Sequence, residues 1–193
     1  MKEREKGIDR EIVRSFLENL RPFYRTVVLV AAVTGMRIRS ELINKMEWSW
    51  IDFDSDPIKI TIPAKYTKMK QERITFATPQ VKEELLKIKA QSKSRIVFPR
   101  SYDAFYNHLS LIRDKLGLTE RKMNGLYQFK PHRFRGFTEN KLSKIIGEEY
   151  AHAITGHGNY LNQYFSGGTT DVEAGNDYKR AIQDLTIDFN GKN

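Results

Sequence analysis

The chain has 193 residues, with 33 Lys+Arg against 24 Asp+Glu, four His and no Cys, for a formal net charge of +9. At this length one compact domain with a small appended segment is the expectation, and 39% hydrophobic and 11% aromatic content argues against disorder. The lack of Cys removes disulfides, thiolate zinc sites and thiol catalysis; the most apolar run, residues 27–33, is far short of the ~20 residues that cross a bilayer, and the polar start MKEREKGIDR carries no signal-peptide core.

Ile12, Val13, Phe16, Leu17 and Leu20 recur at helical spacing and predict a first amphipathic helix. Pro22 suits the first turn of a second helix, apolar nearly all round and ending near Gly35. Residues 40–48 read as a further short helix. The period then changes to two: Ile58, Ile60 and Ile62 alternate, as do Ile74 and Phe76, around a polar, basic stretch over 65–72. That pattern predicts a hairpin with a charged tip. Thr78 and Pro79 fit the N-cap and first turn of a helix with Val81, Leu85 and Ile88 on one face. A short strand over 95–98 precedes a helix capped by Ser101, carrying Phe105, Leu109, Ile112 and Leu116, and stopped by Gly117. Residues 117–129 read as a loop. Pro131 starts a helix to about Ile146, and short helical segments follow over 148–155 and 159–165. The stretch SGGTT at 166–170 reads as a linker to a final helix over 171–189. The class is α+β, mainly helical with one small antiparallel sheet.

The charge is segregated. The first twenty residues are balanced and the last segment is slightly acidic, so the excess lies between them. One cluster is Lys65, Lys68, Lys70 and Arg73. The other is Arg121, Lys122, Lys130, Arg133, Arg135, Lys141 and Lys144. Segregated cations point to a polyanionic partner, and nucleic acid is the first candidate.

Nucleotide-cofactor loops, HExxH and serine elbows are missing. Glu149, His152 and His157 could form a carboxylate–histidine trio, but each type is common, and no metal centre is expected. Three stretches remain. Thr34-Gly35-Met36-Arg37 can anchor an Arg where a buried helix turns sharply away, although Arg39 competes with Arg37 and either could simply pair with Glu41. In Pro131-His132-Arg133-Phe134-Arg135, His132 and Arg135 share a helix face, a pairing suited to a phosphate oxygen and a mobile proton. In residues 155–165, His157 sits between two glycines, and Tyr160 and Tyr164 share one face.

Taken in order, TGMR, TKMKQERITF, HRFR, ITGH and a following Tyr resemble the catalytic domain of the tyrosine recombinase (phage-type integrase) family, over about residues 14–165. WSWIDF is similar to the segment leading into that family's sheet. The narrower likeness is to archaeal virus and plasmid integrases. The resemblance implies a catalytic set of Arg37, Lys68, His132, Arg135 and His157, with Tyr164 as nucleophile and Tyr160 as its alternative. It implies contacts to double-stranded DNA from Lys65, Lys70, Arg73, Lys130, Arg133 and Lys141. It further implies cutting and rejoining of DNA through a 3′-phosphotyrosyl link with no metal, ATP or small-molecule cofactor. Self-association on DNA as a dimer or tetramer, no membrane partner and a cytoplasmic site of action complete that expectation. Two spacings depart from the family. Its Glu usually stands three residues after the Arg, whereas Glu41 stands four after Arg37; its Tyr often lies about nine after the last His, whereas Tyr164 lies seven after His157.

The domain expectation is a catalytic unit over 1–170 without the family's N-terminal DNA-clamping domain, and a tail helix over 171–193. That tail either exchanges between subunits or packs on its own domain. The rival activities are a type IB topoisomerase-like nicking–closing enzyme and a non-catalytic DNA-binding module.

Overall fold

The computed structural model describes residues 8–157, 165 and 167–189. Helix α1 (Arg10–Asn19) opens where the Asp9 carboxylate accepts the Ile12 N–H at 2.9 Å, and it buries Val13, Phe16 and Leu17. Helix α2 (Pro22–Thr34) is the hub. Its residues from Arg25 to Thr34 are all buried, as an all-round apolar pattern requires, and α1, α3 (Pro79–Gln91) and α5 (His132–Ile145) pack around it. Gly35 ends α2 in the left-handed region, φ 68°, with its N–H on the Ala31 carbonyl at 3.1 Å. A Cβ there would meet the Thr155 methyl at 2.7 Å, so close approach and conformation both require glycine.

The sheet runs β1 (Ile51–Asp52), β2 (Ile58–Ile62), β3 (Arg73–Ala77), antiparallel throughout. Ile58 pairs with Ala77 and Ile62 with Arg73, so the hairpin is in the register that its alternating isoleucines demand. β2 shows that alternation in its burial, but β3 is buried along its whole length, because α2 lies against it together with α6 (Glu148–Thr155) and α7 (Asp171–Lys179). Helix α4 (Tyr102–Lys115) is capped by Ser101, whose hydroxyl accepts the Ala104 N–H at 3.2 Å, and Thr78 caps α3 in the same way.

Three expectations change. Residues 40–48 do not form one helix: a π-helical turn spans Ile38–Leu42, and Asn44 at φ 54° breaks the chain away. Residues 95–98 hold one isolated bridge, Glu47 to Ile96, rather than a strand. The final helix is two, α7 and α8 (Ile182–Leu185), and α7 begins with a reciprocal capping box of Thr170 and Glu173. The segment expected over 159–165 lies, apart from Phe165, outside the described residues.

The tail packs on its own body. The buried Tyr178 hydroxyl donates to the Val33 carbonyl at 2.9 Å, the Tyr150 hydroxyl donates to the Ala174 carbonyl at 2.8 Å, and the Gln80 amide donates to the Ile187 carbonyl at 2.7 Å. Tyr178, Ala181, Leu185 and Ile187 join the same core as α2. Among the described residues no helix is long and apolar enough to cross a membrane.

Candidate active site

Arg37 stands immediately after the α2 exit, ahead of the π-helical turn. In that turn the Leu42 N–H reaches the Arg37 carbonyl and the Ile43 N–H the Ile38 carbonyl, both i→i+5. The extra residue per turn lets Glu41 reach back although it stands four positions on: its carboxylate accepts the Arg37 backbone N–H at 2.7 Å and the Arg37 guanidinium at 2.8 Å. Arg37 also donates to the Gly156 carbonyl at 3.2 Å, and its side chain keeps 20% of its surface open. Arg39 is exposed and stacks over the Tyr102 ring, away from this group.

The Glu41 oxygen that accepts the Arg37 N–H also takes the Arg73 guanidinium, at 2.7 Å. Burial disfavours the Glu41 carboxylate, but the Arg73 cation, the Arg37 N–H and the Arg37 and Arg135 cations outweigh it, holding its pKa below the ordinary 4.5. Arg73 was expected among the DNA contacts. It is instead 2% exposed and bonded to Glu41 and to the Ile154 carbonyl. The strand register starts it beneath the α6 cap, and Gly156 makes the room: a Cβ there would stand 2.7 Å from the Arg73 Cδ.

Arg135 rises from the first turn of α5 and is 1% exposed. It donates to the Gly35 carbonyl at 2.8 Å and, through its other terminal nitrogen, reaches His157 Nε2 at 3.4 Å. Burial first, then the Arg37 and Arg73 cations, push its pKa down to about 9. His132, the first residue of α5, is lowered below 6.5 by burial and then by Arg135, Arg37 and His157, so it is neutral at pH 7. His157 follows α6 and turns its Nδ1 to Glu139 at 3.0 Å. The two glycine carbonyls that close α2 and α6 thus hold one arginine each, crosswise between segments a hundred residues apart.

Lys68 is exposed on the tip between β2 and β3 and borders the same recess as Arg37, Arg73 and Gly156. Thr67, buried beside it, accepts the Gln71 N–H at 3.1 Å and donates to the Gln71 carbonyl at 2.7 Å, which shapes the tip. Arg37, Arg135 and His157 therefore converge, with Lys68 on the recess beside Arg37 and His132 close enough to all three to feel their charge.

Of the expected DNA contacts, Lys65, Lys70 and Lys130 are exposed, and Lys70 donates to the Lys65 carbonyl at 3.3 Å. Arg133 is half-buried, and Lys141 lies over the Phe137 ring and 3.8 Å from Asp184. Tyr160 and Tyr164 lie outside the described residues. Two features of the site escaped the sequence reading: the place of Glu139, and the pairing of Glu41 with Arg73. Glu139 lies four residues after Arg135, one helical turn on, and that spacing was the available signal. Glu149, read from spacing as a partner of His152, is exposed, and Glu139 takes that place.

No family model matches the chain, and no curated protein matches it. Among solved structures it is similar to the lambda integrase catalytic core, with a TM-score of 0.58 and 20% identity, over 77% of this chain and 87% of that one. The fold is that of this integrase core: mainly helical, with a small three-stranded antiparallel sheet. The likeness does not extend to the narrower resemblance to archaeal virus and plasmid integrases.

Proposed function

We propose that the chain is the catalytic part of a site-specific DNA recombinase that cuts and rejoins duplex DNA through a phosphotyrosyl link. The observation that carries this reading is the convergence of Arg37 and Arg135, two guanidiniums anchored crosswise by Gly156 and Gly35, beside His132 and His157. Cations crowded until burial and mutual repulsion depress Arg135 form a cradle that an anion relieves.

In this mechanism a phosphodiester enters with its nonbridging oxygens on the two arginines and His157. The phenol oxygen of Tyr164, or of Tyr160, attacks phosphorus. A P–O bond to tyrosine forms, the bond from phosphorus to the 5′-oxygen breaks, and the arginines neutralise the pentavalent transition state. His132, neutral at pH 7, takes the phenolic proton, and Lys68 on the exposed tip gives one to the leaving 5′-oxygen. Because the covalent link keeps the phosphodiester energy, the reverse attack by a 5′-hydroxyl reseals the strand. The partner is double-stranded DNA, with assembly of several copies at synapsis.

A nicked suicide substrate tests the reading, since it traps the protein–DNA link. A denaturant-resistant adduct is expected from the unaltered chain and from Tyr160→Phe, and none from Tyr164→Phe. The reverse pattern transfers the role to Tyr160. No adduct from the unaltered chain on any site it binds specifically overturns the proposal in favour of a non-catalytic DNA-binding module.

A further inference from the structure

We propose that Glu139, His152 and His157 form a reversible binding site for a divalent transition-metal ion of the zinc type, next to the candidate active site. The three residues come from α5 and from the end of α6. The ligand atoms are Glu139 Oε1, His152 Nε2 and His157 Nδ1, all within 4.8 Å of one another. The same carboxylate oxygen lies 3.1 Å from the His152 nitrogen and 3.0 Å from the His157 nitrogen. Tetrahedral donors about 2.0–2.1 Å from zinc stand roughly 3.3 Å apart; the Glu139 oxygen is already near that separation from both nitrogens, and the two nitrogens, no more than 4.8 Å apart, reach it by rotation of the imidazole rings. Two imidazoles and one carboxylate are a donor set that favours zinc and its neighbours over magnesium or calcium.

The local backbone explains why two histidines five residues apart converge. Gly156, at φ 70°, closes α6 in a Schellman turn: its N–H bonds to the Ala153 carbonyl at 3.2 Å and the His157 N–H to the His152 carbonyl at 2.9 Å. In that motif the side chains at the two ends of the outer bond meet, commonly as an apolar contact. Here they are imidazoles, with ring centroids 5.6 Å apart and planes at 82°. Helix α5 packs along α6 and brings Glu139 between them. The side chains of Glu139, His152 and His157 are 23%, 18% and 38% exposed, which leaves a face open for a water molecule as fourth ligand.

An ion on His157 Nδ1 leaves that ring's proton on Nε2, the atom facing Arg135. His157 is then held as a pure donor toward whatever anion sits there. The Arg135 guanidinium opposes a second cation, which makes the site a reversible one rather than a permanent structural centre. The inference needs only the packing of α5 on the α6 cap, and it stands or falls separately from the DNA chemistry.

The experiment is a titration of the untagged full chain with zinc against a chromophoric chelator, together with the visible spectrum of the cobalt-loaded protein. One zinc per chain and a tetrahedral cobalt spectrum are expected. Glu139→Gln, which keeps the shape and loses the charge, and His152→Ala should each weaken binding at least about a hundredfold. Glu149→Gln, and His108→Ala on α4, should leave it unchanged, and zinc should raise the melting temperature of the unaltered chain but not of Glu139→Gln. Failure to bind zinc stoichiometrically overturns the proposal. So does zinc affinity that Glu139→Gln, at a matched metal-free melting temperature, leaves intact.

Discussion

At the scale of single residues, Glu41 is the charge on which two arginines rest. Its carboxylate is fully buried between Arg37 and Arg73, and Arg73 is itself 2% exposed. Removing one partner of such a pair leaves an uncompensated buried charge, so Glu41→Ala should cost about 3–5 kcal/mol in urea unfolding. The pH dependence follows from the same group. Its folded pKa is below the ordinary 4.5, so the stability it contributes is complete above that value and is lost as pH falls through the folded pKa. Glu41→Gln should therefore be less stable at neutral pH and show a flatter profile on the acid side; unfolding midpoints from pH 7 downward measure this. The two candidate arginines at the α2 exit separate just as cleanly. Arg37 meets Glu41 and the Gly156 carbonyl, and Arg39 stacks outward on Tyr102. Arg37→Ala should slow adduct formation by about 10²–10³, whereas Arg39→Ala should leave it within about twofold, on the same suicide substrate.

At the scale of elements, the parts governed by neighbouring residues were legible. The Ser101 and Thr78 caps, the Gly35 exit, the isoleucine alternation of β2 and the apolar girth of α2 each act within a few positions, and each element formed where its pattern stands. The parts governed by distant partners were not. Arg73 reads as one of a basic cluster that contacts DNA until Gly156, 83 positions on, is known to lie over it with no side chain. Glu149 has the right spacing for His152 on one helix, yet the carboxylate that reaches it comes from α5. Of the candidate site, Arg37, His132, Arg135 and His157 were legible because short local frames carry them. The π-helical turn at Ile38–Leu42 is intermediate: its sign in the sequence is the extra residue between Arg37 and Glu41, and its meaning needed the backbone. It yields a prediction for that element. Deleting Ser40, exposed within the turn, should convert it to an ordinary α-turn with the Glu three residues after Arg37, the spacing of one α-helical turn. The shortened chain should fold, melt within a few degrees of the parent, and still form the adduct; loss of folding would mean that the π geometry itself is required.

At the scale of the whole molecule, charge divides into two kinds with opposite experimental signatures. Arg73 and Arg135 are buried and locked to Glu41, Gly35 and their neighbours, so salt hardly screens them. Lys65, Lys68, Lys70 and Lys130 are exposed, with Arg133 half-buried among them, and cations of this kind gain from releasing counterions when they meet DNA. Five such contacts would give a slope of about −4.5 in the logarithm of the binding constant against that of salt concentration. Lys65→Ala with Lys70→Ala should reduce the steepness by about 2 while leaving the adduct rate at saturating DNA near that of the parent. Arg37→Ala removes one phosphate contact, so the slope should fall by only about 0.9 while the rate collapses. Fluorescence anisotropy across a salt series measures the first quantity, and single-turnover adduct formation the second. If the lysine pair alters neither slope nor affinity, the hairpin tip does not face the duplex. DNA must then approach from the side of residues 121–133, and Lys68 would lose its place as donor to the leaving oxygen.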